Sequence, residues 1–106
     1  MDYLAIFHEA KNAAVAATSA KFAEIGDFGA CGFAWVQIPE PMHAAALVSA
    51  GLAKKGDADA FRHGAIIYDP GQSPVQSLNV MDAGADAFAA VMARHGIKAR
   101  AWSRMD

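Results

Sequence analysis

The stretch Cys31-Gly32-Phe33-Ala34-Trp35-Val36-Gln37-Ile38 constrains the fold more than any other part of the chain. Glycines precede it and Pro39-Glu40-Pro41 follows it, so its ends are fixed as those of a β-strand. Its alternation sorts residues by size. Gly32, Ala34, Val36 and Ile38 point one way, and Cys31, Phe33, Trp35 and Gln37 the other. The first side leaves room for helices. The second is a row of rings that something must cover or use.

The flanking segments alternate with this strand. Residues 3–21 carry Tyr3, Ile6, Phe7, Ala10, Ala13, Ala14 and Ala17 at helical spacing, with His8, Glu9, Asn12 and Ser19 opposite. A second helix is expected from Pro41, with Ala44, Leu47, Val48, Gly51 and Leu52 inward and Gly56 as its stop. Ala65-Ile66-Ile67-Tyr68 reads as a short strand ended by Asp69-Pro70-Gly71. Ser73-Pro74-Val75-Gln76 has the form of a capping box opening a third helix that runs to His95 and stops at Gly96. Gly84 is the weak point of that helix, because glycine costs about 1 kcal/mol there; the alternative is a break, with Asp82 capping a shorter helix. Residues 97–102 are expected to form the last strand, with Lys98, Arg100, Trp102 and then Arg104 on one side and Ile97, Ala99 and Ala101 on the other.

The predicted fold is therefore a single α/β domain over residues 1–106, in the order α-β-α-β-α-β, with a three-stranded, mostly parallel sheet. In it the later two helices are crossovers lying on the slender face. Phe33, Trp35, Lys98, Arg100, Trp102 and Arg104 then share the opposite face. Parallel sheets are usually protected on both sides, so the first helix is expected to cover these rings. In the alternative the face is open, at least in part, and serves as a contact platform.

Composition narrows the function classes. Apolar residues make up 55% and charged ones 19%, which is globular composition, and no apolar run reaches the roughly 18 residues of a membrane span. The start, Met1-Asp2-Tyr3-Leu4, lacks a basic leader, so a cytoplasmic location is expected, and the single Cys31 fits a reducing compartment. Net charge is −2, which disfavours coating nucleic acid by bulk charge, yet Arg94, Lys98, Arg100 and Arg104 cluster late in the chain against Asp106 alone.

Catalytic signals are weak. Cys31 has no base beside it in sequence and reads as a small buried hydrophobe. His8, His43, His63 and His95 lack ligand spacing, so no metal is expected. Asp57 with Asp59, and Asp82 with Asp86, read as solvated carboxylates. The loop Asp69-Pro70-Gly71-Gln72-Ser73 lacks the glycines and lysine of a phosphate cradle, and no cofactor is expected. An enzyme would need Cys31, His63 and Asp69 brought together from separate loops.

The Gly29-Ala30-Cys31-Gly32-Phe33-Ala34-Trp35-Val36 block, the turn Gly71-Gln72-Ser73, and the stretch from Gly96-Ile97-Lys98-Ala99 to Ser103-Arg104-Met105-Asp106 resemble a set of small bacteriophage proteins. Ile6-Phe7 followed by spaced alanines is similar as well. The likeness touches about a third of the chain, and the chain is shorter between its first helix and first strand than those proteins. The resemblance implies a phage-type accessory protein working in the host cytoplasm, with no reaction attached. The function expected from the sequence is non-catalytic binding of a host or phage protein or of a second copy, with single-stranded nucleic acid as the alternative.

Overall fold

Three helices lie on one side of a four-stranded sheet in the computed structural model, which describes residues 1–59 and 62–106. The elements are α1 (Tyr3–Ile25), β1 (Gly32–Ile38), α2 (Pro41–Ser49), β2 (Lys54–Lys55), β3 (Ala65–Tyr68), α3 (Leu78–Arg94) and β4 (Arg100–Met105). Strand order is β2-β3-β1-β4, and every neighbouring pair is antiparallel.

This corrects the expected three-stranded, mostly parallel sheet. The cause is β2, two lysines that carry no periodicity. Its pairing with β3 turns the chain back, so α2 returns it to the far side of β3 and α3 to the far side of β1. The result is a pair of interleaved β-α-β units, the split connection, in which parallel-running strands never sit side by side. Only the α3 connection joins the strands expected of it; α2 leads from β1 to β2, and β3, its expected target, lies antiparallel beside β1.

The slender face holds the core. Ala34, Val36 and Ile38 of β1 and Ala65 and Ile67 of β3 pack against Ile6, Ala10 and Ala14 of α1, Ala44 and Leu47 of α2, and Met81, Ala85, Phe88 and Met92 of α3. The helix α1 lies mainly along α3, with Phe7 set edge-on to Phe88 at 5.6 Å. Glu9 ties the pair outside, accepting from Arg94 at 3.2 Å and facing His95 Nε2 at 2.9 Å. The expectation that α1 shields the aromatic face is thus overturned. Alanine-rich and narrow, it was suited to close approach, and α3 supplies that partner.

Gly84 explains why α3 runs through unbroken. A Cβ there would meet the Thr18 hydroxyl of α1, and the Gly71 Cα lies 3.1 Å away. Packing three backbones together outweighs glycine's poor helix propensity. The start of α3 is later than the capping box suggested. Ser73 hydrogen-bonds Val75 through its hydroxyl, at 2.7 Å to the carbonyl and 3.2 Å from the amide, and caps no helix. Residues 76–78 instead extend the sheet beside Cys31: Gly32 N donates to Gln76 O at 3.1 Å and Leu78 N to Ala30 O at 2.8 Å. Ser77 is the N-cap.

Two further boundaries move. The second helix stops at Gly51, not Gly56, because Gly51 adopts φ +75° and lets Leu52 N reach Leu47 O at 2.9 Å. The last strand begins three residues late. Ile97 is fully buried as the apolar residue after the α3 stop, its amide donating to Met92 O, and Lys98 lies exposed ahead of β4. No helix among the described residues is long and apolar enough to cross a membrane.

The cap of α2 yields a pH prediction. Both oxygens of Glu40 accept backbone N–H groups, from Met42 at 3.0 Å and His43 at 2.9 Å, and these bonds hold its carboxyl below the ordinary 4.5. A depressed folded value gives stability that is present above 4.5 and lost as pH falls through the folded value. Glu40→Ala should lower the melting temperature at neutral pH, with the gap to the parent closing on acidification below that range.

Candidate functional site

Among the described residues, no helix lies on the outer sheet face. Register places its side chains in rows across the strands. Tyr68, Trp35 and Trp102 form one row, from β3 through β1 to β4. Phe33 and Arg104 stand side by side in the next, and Ile66, Gln37 and Arg100 make up the third. Strands are about 4.8 Å apart, so the three-ring row spans about 10 Å.

Two of the third row's three side chains are sealed, while Arg100 is exposed. Ile66 and Gln37 are buried beneath the segment linking β2 to β3, whose Gly56 N donates to Gly64 O at 2.8 Å. Gln37 is the polar pin under that cover. Its Oε1 accepts from Trp102 Nε1 at 2.8 Å, its Nε2 donates to His63 O at 3.0 Å, and the same Nε2 lies 3.1 Å from His63 Nδ1. Gln37 therefore sets the plane of the Trp102 indole. Gln37→Leu keeps the volume but strips partners from two groups, and should lower unfolding free energy by about 2 kcal/mol in urea titrations followed by tryptophan emission.

The other rows are open to different degrees. Trp35 is only 5% exposed, and Arg62 lies over its ring at 5.2 Å. Trp102 is half-buried, while Phe33 at 43% and Tyr68 at 50% present their rings to solvent. Arg104 sits 6.0 Å above Phe33. The result is a cleft of about 510 Å³ lined by Trp35, Asp59, Arg62, Trp102, Ser103 and Arg104, next to a smaller hollow reaching Phe33 and Tyr68.

Charge is divided between the two sides. Arg62, Arg100, Arg104 and Lys54 belong to the outer face, against Asp57, which approaches Arg62 at 3.9 Å, Asp59, and Asp106, which continues the Arg100–Arg104 side of β4. A chain of net charge −2 thus turns a cationic side outward from the sheet. Among the described residues, no carboxylate pairs with Arg100 or Arg104.

Of the six residues singled out from the sequence, five gather here: Phe33, Trp35, Arg100, Trp102 and Arg104. Lys98 does not, since it precedes the strand. Sequence reasoning left Arg62 and Tyr68 out of the face, put Gln37 on it without a role, and considered His63 only for catalysis. A glutamine inside an apolar strand was a readable signal; the arginine and histidine arrive through loop closure, which leaves no local trace.

The residues considered for catalysis are scattered. Cys31 is exposed, not buried as expected, and stands six positions before Gln37, so about 20 Å of strand separates it from His63. The Asp69 carboxylate is occupied by Ser73 N at 3.2 Å. Asp82 is half-buried, not fully solvated, and burial pushes its carboxyl up while the Ser103 hydroxyl pulls it back. No cluster of three metal-ligating side chains occurs among the described residues. Set against known proteins, the chain matches no family model, no curated protein and no solved structure, so its outer sheet face has to speak for its function.

Proposed function

We propose that the chain is a non-catalytic binding protein whose outer sheet face takes single-stranded nucleic acid. One observation carries this: on a face that no described helix covers, the exposed rings of Phe33 and Tyr68 stand on adjacent central strands, with Arg62 and Arg104 beside them. Every base offers a flat π surface, so ring platforms accept bases without reading sequence, while guanidinium groups follow the phosphates. Diagonal neighbours across antiparallel strands lie about 7–8 Å apart, a spacing within reach of successive unstacked bases. Trp35, roofed by Arg62, is the floor of this surface and not a stacking partner. The resemblance to small bacteriophage proteins supplies the setting, an accessory protein made during infection.

Titration with an oligothymidylate or oligouridylate of about ten nucleotides, followed by tryptophan emission at low salt, tests the reading. Emission should change on binding, and the affinity should fall with salt at a log–log slope of about −2, for two to three phosphate contacts. An emission spectrum indifferent to both oligomers at low salt would end it. Contact with protein has its own support, at the unpaired edge of β4.

A further inference from the structure

We infer that two copies of this chain join through β4, about a two-fold axis at Ser103, into one continuous eight-stranded sheet. This goes beyond nucleic-acid binding and does not depend on it.

The backbone dictates the register. The amide of Asp106 donates to Cys31 O at 3.0 Å, which makes that pair a hydrogen-bonded one in the β1–β4 ladder. Alternation along an antiparallel ladder then directs the backbone of Arg100, Trp102 and Arg104 toward β1, and that of Ala101, Ser103 and Met105 outward. The latter three lie on the sheet edge, with no strand beyond them among the described residues. An edge of this length invites another chain.

The side chains then choose the partner. With Ser103 facing Ser103 of a second copy, Ala101 faces Met105, and each outward residue exchanges two backbone hydrogen bonds with its opposite number. Between these lie the closer, non-hydrogen-bonded pairs. There Arg100 faces Asp106 and Trp102 faces Arg104, twice over by symmetry, giving two ion pairs and two cation–π contacts. Met105, 66% exposed in the single chain, gains an apolar neighbour. Shifting the axis to Trp102 would instead set Arg100 against Arg104, like charge on like charge. The sequence Arg100-Ala101-Trp102-Ser103-Arg104-Met105-Asp106 is complementary to itself when read backwards about Ser103, the axis that pairs all seven residues.

Sedimentation velocity over a concentration series tests the inference. The parent chain should show a reversible monomer–dimer equilibrium. Arg100→Asp sets Asp against Asp106 and should weaken the dimer about tenfold, and the swap Arg100→Asp with Asp106→Arg should restore it to within about threefold. Ser103→Pro removes an amide that β1 does not use, together with the hydroxyl that bonds Asp82; Ser103→Ala, which loses the hydroxyl alone, should dimerise like the parent, while the proline variant should fold and weaken the dimer by at least about 100-fold. A parent that stays monomeric at every concentration overturns the inference. So does a dimer indifferent to both the charge reversal and the proline, which would place the contact on another surface.

Discussion

Gly71→Ala is expected to cost about 3 kcal/mol of unfolding free energy, a large part of what a domain of this size has. Gly71 is buried in the turn after β3, where Asp69 at φ +42° and Gln72 at φ +52° bend the chain into the space between α1 and α3. A Cβ at this position would meet the Thr18 hydroxyl, with the Ala14 carbonyl oxygen and Thr18 Cβ both at 2.9 Å. Two of these contacts are with the helix itself, not with the free end of a side chain. Ala14 is fully buried in the core, so α1 cannot retreat without opening a gap elsewhere. Gly51→Ala makes the control. Nothing lies within 4 Å of its Cβ, and only its φ of +75° is strained, so its cost should be about 1 kcal/mol. Urea midpoints for the two variants separate packing from backbone conformation. Equal midpoints would mean that Gly71 is not wedged between the helices.

The same site shows which parts of the fold could be read in advance. Helices α1 and α3 declare themselves through long apolar periodicity, and β1 through its glycine and proline borders. Their packing partners do not. Gly84 looks like a flaw in a helix until Gly71 and Thr18 are seen against it. The capping signature at Ser73 is real chemistry spent on a local turn, because residues 76–78 find stronger partners beside β1. In each case a local preference gives way to a backbone pairing formed across the chain.

The sheet was misread for a related reason. Lys54 and Lys55 are exposed and only two residues long, so neither alternation nor hydrophobicity marks them, yet they decide that β3 runs antiparallel to β1. The aromatic face was legible all the same. Which residues share a side of a strand depends only on its period of two, and that holds in either direction of pairing. Phe33, Trp35, Arg100, Trp102 and Arg104 consequently stand together, although the sheet expected for them was a different one. What local pattern could not supply is the cover: Arg62 and His63 reach the face by closure of a loop, and they determine that Trp35 is roofed while Phe33 and Tyr68 remain open.

That distinction makes the second large effect specific. If bases stack on the open rings, Phe33→Ala with Tyr68→Ala should lower the affinity for single-stranded oligonucleotides by about 100-fold, at about 1–3 kcal/mol for each stacked base. Both rings are substantially exposed, so the double variant should unfold within about 0.5 kcal/mol of the parent. Binding loss without loss of stability is the signature to look for. Arg104→Gln should behave differently, weakening every sequence alike and flattening the salt dependence by about one unit of slope, because it removes a phosphate contact and leaves the platform in place. Fluorescence anisotropy with a labelled oligonucleotide at several salt concentrations reads both quantities in one experiment. A double variant that binds as tightly as the parent would show that the rings are not the platform, even if Arg104→Gln still changed the slope. Any remaining nucleic-acid affinity would then be electrostatic alone, carried by the arginines and indifferent to the order of rings that the sheet sets out.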